Sequence, residues 1–437
     1  MRPCLSSFAS ARAGLKRQRP SYIPILCAAA LALFFYAAIS PAVAASPQTF
    51  GNSTTLAAFH EEQIDGDWRS LLALYEFLDA GAKNAGASGL DLYFSGWGRL
   101  DTLDSEALDR KQRSDAELES AYLGWSNQEN WLNAWAGRRF VHVGPVAERI
   151  DGAQVQAQPL TWLGVQGFGG VPAVSRVGER DGDYGYGGRL YGLWPSLFEV
   201  GVSWAEFIEK SDPDRVRMGG DLRVFPHRSI DVFGHAYYDP LYRAWYDAKA
   251  AAIARPAQDL ELYASYDRVV PSAFLGMSSI FSVFTRETVN TLTARAHYAA
   301  RERVVVKAQY NRYDYAERDG ADRIGGSAGL LWGKSRANSL TAGLFLLDRH
   351  GDTGYWEIRA SAFQAIAGTF HLAADGSAVL GDDEADEDRS SYASVSFGWN
   401  PTGAVGVQAS GIYLDSDLYN ERLRGMLRFS YAFGGPM

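Results

Sequence analysis

From about Ser88 to Phe433 the chain repeats one pattern, a segment of roughly ten or more residues with polar and apolar side chains in alternation, then a break of Gly, Pro, Asn or charged residues. The stretch RVRMGGDLRVF, Arg215 to Phe225, is typical, with Arg215, Arg217, Asp221 and Arg223 at alternate positions and Val216, Met218, Leu222 and Val224 between them. A helix would scatter those charges around its axis. A strand puts them all on one face and the aliphatics on the other. One face must therefore meet water and the other an apolar environment.

The length of the segments separates the architectures that meet this demand. Strands of soluble sandwiches average about five to six residues, whereas DLELYASYD, VVVKAQYNRY and RLRGMLRFSYAF have the length a tilted strand needs to cross hydrocarbon. Short breaks such as PHRS, RPAQ, RER and NPTG interleave with longer polar ones, as turns and loops do at the two rims of an outer-membrane barrel. Apolar positions are aliphatic in mid-segment and aromatic toward the ends, and aromatics make up 13% of the chain. The fold class is all-β, a transmembrane antiparallel barrel of about 20 strands, in the range of roughly 16 to 22.

The N-terminus sets the compartment. Five basic residues precede an apolar run from Ile25 to Ile39, then Pro41 and Ala42-Val43-Ala44, which is a secretory leader with its three regions in order. Residues 1–45 are read as this signal peptide, 46–87 as an N-terminal segment and 88–437 as the barrel. In the middle segment Ile64, Trp68, Leu71, Leu72, Tyr75 and Leu78 recur at helical spacing, while LLALYEFLDA also reads as a first strand hairpinned to LDLYFSGWGRLD; the pattern leaves both open. Both cysteines, Cys4 and Cys27, fall in the leader, so the exported chain carries no disulfide or thiolate metal site. Losing the leader also takes the formal charge from -9 to -14, which argues against a nucleic-acid partner.

Two stretches go beyond alternation: LYEFLDAGAKNAGASGLDLYFSGWGRLD from Leu74, and AWAGRRFVHVGPVAERIDGAQVQAQPLTWLGVQGFGG from Ala134. They resemble porin-like barrels of deltaproteobacterial outer membranes, and Gly137-Arg138-Arg139-Phe140 followed by Asp151-Gly152 is similar to a pattern of alginate-export-type barrels. The resemblance implies an outer-membrane pore and supplies no substrate. Such barrels finish on a terminal aromatic; here Phe433 is followed by GGPM.

Nothing in the sequence points to catalysis or to a cofactor. HEEQI at His60 lacks the second histidine of a zinc-protease helix, and GYGGRLYG from Gly185 reads as a strand without the helix start of a phosphate loop. The informative set is the charge that alternation turns inward. It comprises Arg215, Arg217, Asp221, Arg223, Lys249, Glu261, Arg295, Lys307, Arg359, Arg422, Arg424 and Arg428 as pore-lining residues, with Arg243, Glu199, Asp247, Asp259, Asp267, Glu357 and Asp375 alongside. Two roles are open to them: pairing across neighbouring strands to stiffen the wall, and a field that favours anionic solutes. Arg138, Arg139 and the run from Glu148 to Asp151 are expected to anchor a loop. The apolar stretch Pro271 to Arg286 reads either as a lumen constriction or as an exposed partner surface, and Asp382 to Asp388 as a solvated acidic loop.

These features predict a channel in the cell outer membrane for passive diffusion of small hydrophilic solutes, favouring anions. The other reading is a barrel sheath that holds a multiheme cytochrome in an outer-membrane electron conduit. Partners are outer-membrane lipid and the solutes, with a periplasmic cytochrome or a second copy of the chain as the protein partners open to it.

Overall fold

Alternation satisfies the two faces of a strand but not its edges, whose N–H and C=O groups still need partners. The chain removes the edges by closing on itself. The computed structural model describes residues 48–64, 67–85, 89–101, 114–127, 129–173, 183–209, 212–270, 287–300, 303–351, 354–381, 390–416 and 419–434. The leader expected at 1–45, the apolar stretch Pro271 to Arg286 and the acidic run Asp382 to Asp388 lie outside the described residues.

In chain order the strands are β1 Gln48–Ile64, β2 Asp67–Lys83, β3 Leu90–Asp101, β4 Ser114–Ser126, β5 Leu132–Val143, β6 Val146–Leu160, β7 Leu163–Pro172, β8 Tyr184–Trp194, β9 Phe198–Glu209, β10 Asp212–His227 and β11 Ile230–Asp239. They continue with β12 Ala244–Ala257, β13 Leu260–Val269, β14 Val289–Ala300, β15 Val304–Tyr315, β16 Ala321–Trp332, β17 Asn338–Arg349, β18 Tyr355–Ile366, β19 Phe370–Gly381, β20 Ser390–Trp399, β21 Val405–Ser416 and β22 Tyr419–Gly434. All belong to one 22-stranded antiparallel sheet, and β1 pairs with β22 from Phe50↔Gly434 to His60↔Arg424, which closes the barrel. At about 4.8 Å between strands and a tilt of about 40°, a round barrel of this count has a backbone radius of roughly 22 Å.

The helical reading of the N-terminal segment gives way to two strands. Gln48↔Lys83 through Ile64↔Asp67 form one hairpin, and β2 continues onto β3 from Ala73↔Asp101 to Ala82↔Leu92. The helical spacing loses because β3 and β22 would otherwise each keep an open edge. The wall therefore starts at Gln48 rather than at 88.

The rims differ. One is built from tight turns such as 161–162, 228–229 and 258–259, while the longest connections, after β3, β7, β13 and β19, all leave from the other. Two-residue connections occur on the long-loop rim as well, among them Gly144-Pro145 between β5 and β6. The outer face is apolar, with Val202 59% and Leu190 50% exposed. Aromatics band it toward each rim, Trp194 stacked with Phe198 and Phe370 with Trp399 near the tight turns, and Tyr186 against Trp204 and Tyr238 against Trp245 near the long loops. From Tyr186 to Trp194 along β8 the chain rises about 20 Å, close to the height of an outer-membrane apolar band.

Candidate functional site

The interior is shaped first by a departure from the regular wall. The β4–β5 ladder runs from Ser126↔Asn133 only to Ala121↔Arg138, although β4 continues to Ser114 and β5 to Val143. At the point of separation Gly137 has φ +121°, a backbone that side-chain-bearing residues rarely adopt, and an added Cβ would stand 2.9 Å from Tyr122 Cα. Beyond it the β5–β6 hairpin leaves β4 and lies over the inner face of β9 and β10. Val141, Val143, Val146 and Ile150 are all at most 2% exposed and form one apolar cluster with Phe168, Ala205 and Phe207.

This fold-over needs the intervening strands to bend without side chains in the way. β7 and β8 read GVQGFGGVP and GYGGRLYG. An added Cβ on Gly185 would come 2.5 Å from Phe207 Cδ1, and one on Gly170 would come 2.7 Å from Ile150 Cγ2. Glycine is thus required where the sheet turns back on itself.

Ionic contacts pin the hairpin at both flanks. Arg215 of β10 donates to Glu148 of β6 at 2.5 Å, with three strands between them, which is possible only across the concave side of the sheet. The charged face is therefore the inner one. Arg217, 3% exposed, donates to the Pro145 carbonyl at 3.3 Å and lies 3.6 Å from Glu148, with its guanidinium over the Tyr246 ring. On the β4 side, side chains replace the missing ladder. Arg138 donates to Asp151 at 2.6 Å and to the Leu118 carbonyl at 3.0 Å, and Arg149 pairs with Glu117. The loop anchor expected from Arg138 and the Glu148–Asp151 run takes this form. Arg139 is held differently, stacked over Trp135 and Tyr122.

The remaining pore-lining candidates fall into two groups. Asp221 accepts from Arg189 at 2.9 Å, Arg223 donates to Asp231 at 2.5 Å, Lys249 stands 2.7 Å from Asp267, Glu261 2.8 Å from Arg255, and Arg359 pairs with Glu357. Those contacts neutralise most of the charge, with Glu357 shared between Arg359 and Arg323 and Arg189 between Asp221 and Glu199. Arg295, Lys307, Arg424 and Arg428 have no carboxylate within ion-pair distance among the described residues; Arg295 lies over the Tyr263 ring. Arg422 belongs to β22, but its side chain is outside the described residues. Two alternation assignments fail, because Arg243, with φ +51°, sits in the β11–β12 turn and Asp259 in the β12–β13 turn, where the period of two no longer applies.

Sequence reasoning missed Arg189, which bridges Asp221 and Glu199, because GYGGRLYG draws the eye to its glycines. It also passed over the spacing Gly325-x-Ser327-x-Gly329. That spacing lies within β16, with Ser327 opposite Gly343 and Lys307, rather than at the strand-to-helix elbow that exposes a nucleophile.

No protein-family model matches the sequence, and no curated protein matches it. Among solved structures, the P pilus usher (PapC) translocation pore matches over 89% of this chain and all of its own, at a TM-score of 0.50 and 7% identity. Acinetobacter baumannii OccAB2 matches over 89% of this chain and 98% of its own, at 0.46 and 9%. Pseudomonas aeruginosa OccK3 (OpdO) matches over 88% and 95%, at 0.40 and 12%. At such identities the PapC likeness bears on the fold alone, that of a large closed antiparallel barrel.

Proposed function

We propose that the protein is an outer-membrane channel for passive diffusion of small hydrophilic solutes, narrowed on one side by the β5–β6 hairpin and mildly selective for anions. One observation carries the reading: a closed barrel with an apolar outer band between two aromatic belts and an inner face of arginines, lysines and carboxylates. Lipid suits the first surface and water the second. Of the twelve inward candidates, Arg217 is covered by the hairpin, and the other eleven act as pore lining in this reading, but not equally. Arg215, Arg217, Arg223, Lys249 and Arg359 stiffen the wall through their partners, and the anion bias comes from Arg295, Lys307, Arg424 and Arg428. Kinship with deltaproteobacterial porin-like and alginate-export-type barrels belongs to the same proposal, as do the cleaved leader and the absence of a catalytic step.

The hairpin bears on the choice between pore and sheath. It fills the β5–β10 side of the interior, space that a cytochrome running through the barrel would need. Purified protein in a planar bilayer tests the reading: stable conductance steps with a reversal potential on the anion side are expected. A folded barrel that does not conduct, or that co-purifies with haem, overturns it.

A further inference from the structure

We propose that the inner wall of β16–β20 holds a binding site for a neutral polyhydroxylated solute, a mono- or disaccharide; the proposal rests on reading the interior as a solute path. Ion pairs dominate the inner face from β8 to β13, but here the strand registers align hydroxyls. Thr341↔Ser361, Ser361↔Asp375 and Asp375↔Ser394 make one tier. Gly343↔Arg359, Arg359↔Ser377 and Ser377↔Tyr392 make the next. Between the tiers lies a groove of about 410 Å³ with Phe345 and Tyr392 in its lining. That is near the small end of ligand pockets, which run from about 300 to 1,000 Å³.

Gly343 is the floor. An added Cβ there would meet Ser327 Cβ and Phe345 Cε2, both at 3.1 Å, so the depth of the groove depends on its being glycine. Asp375 accepts from the Ser394 hydroxyl through one oxygen at 2.5 Å and is also contacted by the Tyr392 hydroxyl, yet its side chain stays exposed to the groove. Arg359 shares the Glu357 carboxylate with Arg323 and is 59% exposed. A sugar's hydroxyls are donors and acceptors at once: they can donate to Asp375, accept from Arg359 and exchange hydrogen bonds with the serines and threonine, while a ring face rests on Phe345. An anion fits worse. The one cation in the groove already contacts a carboxylate, and Asp375 would repel the negative charge of an anion.

Maltose is the probe. Saturation-transfer NMR on detergent-folded protein should show transfer to maltose, about tenfold weaker binding in Asp375→Ala, the loss for one hydrogen bond to a charged group, and none in Gly343→Leu. Gln166→Ala, in β7 and away from these strands, should behave as wild type, and all variants should keep the heat-modifiable gel shift of a folded barrel. No transfer to the wild-type protein overturns the site, as does equal transfer to wild type, Asp375→Ala and Gly343→Leu. Since the NMR measurement needs only a folded barrel, maltose binding without bilayer conductance keeps the site and overturns the channel, whereas a conducting pore that ignores maltose overturns the site alone.

Discussion

Releasing the β5–β6 hairpin should widen the pore, and its two anchors can be weighed against each other. The ionic anchor is Glu148. Removing one partner of a buried pair costs about 3 to 5 kcal/mol, and the lower figure applies here because Arg215 keeps Asp214 at 3.0 Å. The apolar anchor is Val141, Val143 and Val146. At about 0.8 kcal/mol per buried methylene-sized group, losing two such groups from each costs roughly 5 kcal/mol in all. Serine in their place would also bury three hydroxyls at about 1 to 3 kcal/mol each where unpartnered. The apolar anchor therefore holds more. Glu148→Ala should lower the thermal midpoint but leave single-channel conductance near wild type, while the triple variant Val141→Ser, Val143→Ser, Val146→Ser should conduct more and with more noise. The β4–β5 register, continued past Ala121↔Arg138, would give the freed strand a partner in β4. A folded triple variant with wild-type conductance would mean that the hairpin does not narrow the conducting path. A full opening by Glu148→Ala alone would mean that the anchors are ranked the wrong way round.

Leu262, 40% exposed on the outer face, should accept Phe but not Arg, since a cation at the bilayer midplane costs about 2 to 4 kcal/mol; equal yields of heat-modifiable barrel for the two variants would reverse the face assignment. Arg424→Glu with Arg428→Glu should move the reversal potential toward cations, most clearly in dilute salt because charges are screened beyond about 10 Å at 0.1 M. An unchanged potential in a conducting variant would remove these residues from the selectivity filter. Arg217→Glu should instead lower the yield of folded barrel, since it sets a second carboxylate beside Glu148 under the hairpin. Gly185→Val should do so too, because Phe207 occupies the space its side chain would need; a folding yield equal to wild type would argue against the tight bend at β7 and β8.

Alternation made the face of nearly every strand residue legible, because face depends only on the period of two. It could not show which charges meet. Arg217 and Arg424 look alike in sequence, each basic between apolar neighbours, yet one lies sealed beneath Pro145 and the other has no carboxylate in reach among the described residues. Partnership depends on strands far away in sequence, and one strand's pattern carries no information about them. The hairpin did leave a trace. Val141, Val143, Val146 and Ile150 are apolar at positions that alternation assigns to the water-filled side, and the glycines of β7 and β8 are concentrated just after them. Together, inward apolar residues and a glycine-rich pair of strands signal a sheet folded onto itself. β1 was hard to see for the opposite reason, since TFGNSTTLAAF barely alternates and owes its place to β2 and β22.

The even number of strands has a topological consequence. Gln48 enters the wall and Gly434 leaves it at the same rim, the one with the tight turns. In a bilayer, peptides fused ahead of β1 and after β22 would face the same compartment, while one inserted between β17 and β18 would face the opposite one. Protease added from a single side would then cut either both terminal fusions or the inserted one, never a mixture, and so report which rim faces the cell's surroundings.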